Sequence, residues 1–145
     1  RLVGSEMCKE TESLSFKTLA VHTAVSYIAD TISKCDFAFY EDGKLQRFSE
    51  QDYIFNVGCN ANETASTLKR DLIFKLFLDG EALIFEDCGK IYLADSFFRE
   101  RHPLETDIFR NISIKQELKT FDKRSSEVFY FTLKNNISSS MAYSV

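Results

Sequence analysis

One stretch of the chain, residues 60–84, predicts a loop, a helix, a tight turn and a strand in immediate succession. Four polar side chains at its start can each accept a hydrogen bond from a free helical N–H: Asn60, Asn62, Thr64 and Ser66. We take Thr64 as the N-cap and expect the helix to run to about Leu78. Gly80 predicts its end, because glycine adopts the left-handed conformation without a Cβ clash.

The apolar side chains of this helix recur with its period. They form a wide stripe, which predicts that most of the helix is buried: Leu68, Leu72 and Leu76 at every fourth position, with Ile73 and Phe77 on an adjoining strip. Three basic side chains are expected to face solvent or a partner: Lys69, Arg70 and Lys75.

Upstream of this stretch, residues 1–14 are polar and without pattern, and we expect them to form an arm. A helix is expected from Ser15. Its apolar stripe is lined by alanines that permit close approach: Ala20, Val21, Ala24, Val25, Ile28, Ala29 and Ile32. Residues 36–41 and 44–48 then alternate as the arms of a hairpin around Asp42-Gly43, and Ser49 caps a short helix that ends before Gly58.

Downstream, a second hairpin is predicted from residues 81–86 and 90–94, which flank Asp87-Cys88-Gly89. Residues 95–106 contain the only proline and several charges, and are expected to form an exposed connection. Two further strands are expected at residues 107–115 and 127–133, with a charged loop or hairpin end between them. The predicted fold class is α+β, with helices packed on an antiparallel sheet, in a single domain over residues 15–134.

The order of these signals resembles the phage portal proteins of the HK97 family. The resemblance is carried by a helix at residues 24–33, a strand at residues 37–40, the Asn-x-Asn sequence at residues 60–62, the small-residue cap, the amphipathic helix and the sequence Leu78-Asp79-Gly80-Glu81-Ala82-Leu83. It covers roughly residues 16–94. Ala61 departs from the family, which usually has proline between the two asparagines.

The resemblance implies a structural protein rather than an enzyme. Portal subunits form a ring, usually of twelve copies, at one vertex of the capsid, through which double-stranded DNA is packaged and ejected. The implied partners are other copies of the chain, the terminase, capsid or scaffold proteins and the head–tail adaptor. The implied location is the virion, and the host cytoplasm during assembly. The matched region corresponds to the outer wing domain, with the polar residues 135–145 leading into further regions of a longer protein.

The composition and net charge limit the classes of partner that we expect for this chain. The net charge is −4 and the pI about 5.2, which is the wrong sign for a domain that grips phosphates over a broad face. DNA is therefore expected to pass this segment without being held by it. No apolar run reaches the length of a membrane helix, because Lys75, Asp79 and Glu81 interrupt the only candidate.

Chemistry-bearing residues do not form a recognisable catalytic or cofactor motif. There is no glycine-rich phosphate loop, no nucleophile elbow and no zinc-protease signature, so we expect neither catalysis nor a cofactor. Glu81, Glu86 and Asp87 cluster in sequence, and we interpret them as a solvated strand end rather than a cation site. His22 and His102 stand apart, and His22 is interpreted as a half-buried helix histidine.

The cysteines leave one alternative open. Their wide spacing is poor for zinc and is typical of reduced thiols in an intracellular protein: Cys8, Cys35, Cys59 and Cys88. However, an even cysteine count and three glycosylation sequons, at Asn62, Asn111 and Asn136, are also compatible with a small extracellular α+β binding module held by disulfides.

Overall fold

The computed structural model describes residues 3–115 and 117–133, and for residues 3–16 and 118 it describes the backbone alone. The polar segment at residues 135–145 and the sequon at Asn136 lie outside the described residues. The elements follow one another as helix α1 (Val3–Ser33), strands β1 (Tyr40–Glu41) and β2 (Lys44–Leu45), helices α2 (Glu50–Asn56) and α3 (Ala65–Asp79), and strands β3 (Glu81–Asp87), β4 (Lys90–Leu93), β5 (Ser96–Glu100), β6 (Ile108–Ile114), β7 (Glu117–Arg124) and β8 (Val128–Thr132).

The described elements form an α+β fold, as the sequence predicted, arranged in layers. Helix α1 packs on α3, and α3 packs on an antiparallel sheet with strand order β4-β3-β8. A second antiparallel sheet, β5-β6-β7, covers the other face of the first. Strand β3 is therefore buried on both faces, and its residues 82–85 are all less than 5% exposed.

The two cores lie on opposite faces of the first sheet, because side chains alternate along a strand. The core between the sheets is built from Leu83, Phe85, Ala94, Phe109, Ile112 and Phe121. The core between the helices and the sheet is built from Cys59, Leu68, Ile84 and Ile91, with Leu72 partly buried against it. The chain passes from one sheet to the other after β4, where the Ala94 N–H bonds to the Leu83 carbonyl at 2.9 Å and the Asp95 N–H to the Ser113 carbonyl at 2.7 Å.

The capping residues and the turn residues in the sequence predicted these helix ends and turns correctly. Thr64 caps α3, since its hydroxyl accepts from the Thr67 N–H, and Gly80 ends it in the left-handed conformation at φ 80°. Ser49 caps α2 by accepting from the Asp52 N–H. Both hairpins turn on two residues with positive φ, as a type I′ turn requires: Asp42-Gly43 in the first, Cys88-Gly89 in the second. The arms of the first hairpin are two residues each, shorter than predicted.

The prediction of a polar arm over residues 1–14 was wrong for the described residues, because α1 begins at Val3 rather than at Ser15. The predicted stripe of this helix is only partly buried. Val25 and Ala29 are buried, whereas Ala20, Val21 and Ala24 are exposed. Helix α3 has 15 residues against the 31 of α1 and so spans only about half its length at ~1.5 Å per residue.

Two segments assigned to loops are strands. Residues 96–100, predicted as part of an exposed connection, form β5 and pair with β6. Residues 117–124, predicted as a charged loop, form β7 on the other side of β6. Their charged side chains face solvent or pair across the sheet, and only Phe121 of the described β7 side chains is buried. The strands at residues 107–115 and 127–133 were predicted correctly as β6 and β8.

The buried face of α3 was predicted correctly in part. Leu68 and Ile73 are buried, while Leu72 and Leu76 are half-buried and Phe77 is 43% exposed. The prediction that Lys69 faces solvent was wrong, since its side chain is only 5% exposed. It lies against the end of α1, where a backbone carbonyl accepts from its ammonium group.

Candidate functional site

The loop before α3 is organised by a single side chain, Asn60. Its Oδ1 accepts from the backbone N–H groups of Asn62 at 2.9 Å and Glu63 at 3.0 Å, which closes the turn. Its Nδ2 donates to the Ile91 carbonyl of β4 at 3.0 Å. Asn60 therefore shapes the loop and fastens it to the sheet at the same time.

The flanking residues reinforce this attachment. Gly58 and Thr64 pair as an isolated antiparallel bridge across the loop. The Ile91 N–H donates to the Cys59 carbonyl at 3.1 Å, so the loop and β4 are joined by two bonds near Ile91. Ala61, where the resembled family usually has proline, is exposed, and the loop is closed instead by the Asn60 side chain.

Cys59 is buried beneath this loop. Its side chain is 0% exposed, and its Sγ donates to the Glu63 carbonyl at 3.1 Å. Burial, reinforced by the Glu63 carboxylate, raises the pKa of the Cys59 thiol to about 11. Because the thiolate is the reactive form, this cysteine is a packing residue rather than a nucleophile. Cys35, Cys59 and Cys88 are free, and Cys35 and Cys88 are exposed.

A groove opens beside the Asn60 loop, between α3, β4 and the near end of the β6–β7 hairpin. We call it the α3–β4 groove, and its cavity volume is about 220 Å³. Asn60, Asn62 and Glu63 contribute one side of it. Its apolar lining consists of Phe74, Leu78, Tyr92, Leu93, Ala94 and Ile114.

The charged lining of the α3–β4 groove is predominantly acidic. It comprises five carboxylates and two ammonium groups: Glu63, Asp71, Asp79, Asp95 and Glu117, with Lys75 and Lys115. Lys75 is already engaged within the molecule, donating to the Asp95 carbonyl at 2.6 Å and lying 3.4 Å from the Asp79 carboxylate. The groove therefore presents an acidic, partly apolar surface.

The other predicted site residues are not brought together. Glu81 and Asp87 lie at opposite ends of β3, where Glu81 accepts from the Tyr130 hydroxyl at 2.8 Å and Asp87 lies 3.7 Å from the Lys123 ammonium. Glu86 accepts from the Gly89 N–H in the turn. His22 is exposed on α1 rather than half-buried, and Ser66 is exposed on the first turn of α3. Among the described side chains, His, Cys, Asp and Glu form no group able to hold a metal ion.

Comparison with known proteins finds no family model and no curated protein that the chain matches. Along residues 3–115 and 117–133, no helix combines the length and the apolar composition needed to cross a lipid bilayer.

The part of the predicted exposed connection that is not a strand is the loop between β5 and β6, whose exposure was predicted but to which the sequence assigned no role. We call residues 101–106 the 101–106 loop. Leu104 at its tip is 98% exposed. The base is closed by an ion pair between Arg99 and Asp107, whose Nε and Oδ2 are 2.6 Å apart, and by a second pair between Glu100 and Arg110. The available signal for an exposed apolar side chain was a leucine beside the chain's only proline, in a segment predicted to be exposed.

Proposed function

We propose that this chain is the wing-domain region of a portal protein from a tailed phage or prophage, similar to those of the HK97 family. In this role it is structural and not catalytic. Copies of the whole protein assemble into a ring at one capsid vertex, where the terminase, capsid or scaffold proteins and the head–tail adaptor dock. The protein would reside in the virion, and in the host cytoplasm during assembly.

The observation that supports this proposal best is the joint at residues 60–84. The residues that carry the resemblance are the ones that join the helical layer to the sheet. Asn60 fastens the loop to β4, Thr64 begins α3, and Gly80 turns the chain directly into β3. A sequence motif whose residues connect the helical layer to the sheet is suited to a structural protein.

The charge of the chain agrees with a location away from the DNA channel. With a net charge of −4, this region would repel a duplex at close range rather than grip it. DNA would therefore pass through the ring without contacting this segment.

The deciding experiment compares two proteins by light scattering and electron microscopy. We expect the full-length protein to form a large closed ring, and the 145-residue chain alone to be monomeric or weakly associated at micromolar concentration. A full-length protein that stays a monomer or a two-fold dimer at every salt concentration, and never co-purifies with a terminase or capsid component, would exclude the portal proposal.

The alternative of a disulfide-held extracellular binding module is not favoured by any observation. It requires paired cysteines, whereas Cys35, Cys59 and Cys88 are free. Titration of the native protein separates the two proposals, because two disulfides would leave no free thiol among the four cysteines.

A further inference from the structure

We propose that copies of this chain contact one another head to tail, with the 101–106 loop of one copy seated in the α3–β4 groove of the next. The occupant of the groove is thus a second copy of this chain. That such contacts close into a ring rests on the proposed function, but the contact itself rests on the geometry of the loop and the groove.

The loop has the form of an anchored projection. Its tip carries Leu104, which is 98% exposed, next to the exposed Pro103. The Arg99–Asp107 ion pair holds its base, and the guanidinium of Arg99 also lies 4.7 Å from the Tyr130 ring centroid. A loop held at its base loses less conformational freedom on binding than a free segment does.

The α3–β4 groove has the volume and the apolar lining to receive a leucine side chain. A cavity of about 150 Å³ holds a benzene-sized molecule. At about 220 Å³, the groove therefore has room for a leucine side chain with part of its neighbour. Leu78 in its lining is 46% exposed, so apolar surface remains to be covered. Burial of Leu104 against Leu78 and Phe74 would remove apolar area from water on both copies.

The loop carries one exposed charge of each sign, and the groove lining contains an opposite charge for each. Arg101 precedes the tip and Glu105 follows it, and both side chains are exposed. The groove opposes them with five carboxylates and two ammonium groups. Arg101 can therefore face the acidic majority, while Glu105 can face Lys115. Opposite charges at the margin of a contact fix its orientation.

The loop does not occupy the groove of its own copy, since Leu104 is 98% exposed and none of residues 101–106 lines that groove. Ser96 pairs with Ser113 at the groove end of the β5–β6 hairpin, and Glu100 pairs with Ile108 at the loop end. The four residue steps from Ser96 to Glu100, at ~3.3 Å each, separate the two ends by about 13 Å. A copy that receives a loop in its groove thus still has its own loop available. Contacts of this kind are heterologous, and they generate rings when the rotation per copy closes and filaments when it does not.

The test uses the 145-residue chain and two variants, Leu104→Asp in the loop and Leu78→Lys in the groove. Sedimentation velocity is measured from the micromolar to the millimolar range. We expect the unmodified chain to gain average mass without a limit at the dimer, and each variant alone to stay monomeric. An equimolar mixture of the variants should form one-to-one dimers and nothing larger, because it contains one intact loop and one intact groove per pair.

A matched control and a fold check accompany these variants. Leu19→Asp alters another exposed leucine, on α1, and should associate like the unmodified chain. Circular dichroism and melting curves establish that each variant is folded. An unmodified chain that stays monomeric throughout, a folded Leu104→Asp variant that still associates, or a mixture that does not dimerise would each overturn the proposal.

The same loop variant separates this inference from the proposed function. Full-length rings that still form with Leu104→Asp would overturn the loop contact and leave the portal proposal intact. A full-length protein that never forms rings, while the 145-residue chain associates through Leu104, would support the contact and exclude the portal proposal.

Discussion

The ammonium group of Lys69 donates to the backbone carbonyl of Cys35 across 2.6 Å and so ties α3 to the end of α1. The Asn56 Oδ1 lies 3.5 Å from the same ammonium, and the Phe37 ring centroid lies 5.3 Å from it. A positive charge beside the carbonyls at a helix C-terminus is favourable. The lysine therefore joins three segments, α1, α2 and α3, at one buried point.

The Lys69→Met variant should lower the free energy of unfolding by about 1.5–3 kcal/mol, the usual contribution of a hydrogen bond from a charged group. Methionine keeps most of the apolar stem, so the loss reports the ammonium contact rather than a cavity. Urea denaturation measures it. The control is Arg70→Met, whose ion pair with Asp30 is about half exposed on both sides and should contribute about 1 kcal/mol or less. Equal small effects at both positions would contradict the buried role of Lys69.

The Thr64→Ala variant should lower the stability by about 1 kcal/mol, because the Thr67 N–H loses the hydroxyl that accepts from it at 3.3 Å. Ser66→Ala is the matched control. Ser66 lies within the helix and is exposed, so its substitution should change the stability by less than about 0.5 kcal/mol. Thermal melting followed by circular dichroism decides between them, and a silent Thr64 variant would place the helix start elsewhere.

Two leucines of α3 provide a test of which face it buries. Leu68→Ala should cost about 2–5 kcal/mol, because this side chain is 3% exposed and lies in the core under the helix. Leu78→Ala, at a position 46% exposed, should cost less than about 1 kcal/mol. Chemical denaturation of both variants gives the comparison. A larger loss at Leu78 than at Leu68 would mean that the helix is rotated from its described orientation.

Thiol reactivity should sort the described cysteines into two classes. In a Cys8→Ser background, the exposed Cys35 and Cys88 should react with a disulfide reagent at neutral pH within minutes. Cys59 should react only on unfolding, because it is buried and its pKa is raised to about 11. A Cys88→Ser control should remove one of the two fast equivalents. Three equal rates would contradict the burial of Cys59.

The features that sequence reasoning located correctly depend on neighbours a few residues away. The Thr64 cap, the Gly80 helix end and the Asp42-Gly43 turn each follow from one side chain's effect on its own backbone. By contrast, β5 and β7 exist because β6 lies between them. The charges of Arg99 and Glu100 indicated a loop, but Asp107 and Arg110 of the neighbouring segment pair with them in the fold. Nothing within either strand's own residues specifies that pairing.

The burial of Lys69 and the presence of the groove also depend on segments distant in sequence, so local sequence patterns did not predict them. Lys69 adjoins the apolar stripe of α3, and only the position of α1 decides that it is buried. Asn60 and Asn62 were identified from the sequence, but Tyr92 and Glu117 reach the α3–β4 groove from strands far along the chain. A groove assembled from four distant segments has no periodic signal in the sequence.

Strand β3 is paired on both edges, by β4 and by β8, and this has a consequence for how the chain is made. Phe85 pairs with Val128, 43 residues later, and Glu81 with Thr132, 51 residues later. A ribosome that adds about 5–20 residues per second therefore releases β3 seconds before its second partner emerges. Throughout that interval one edge of an apolar strand is open to pairing with a neighbouring nascent chain. The central strand of the described fold is thus completed only when β8, the last of the described strands, has been synthesised, and crowding of chains on one messenger RNA would be most hazardous before that point.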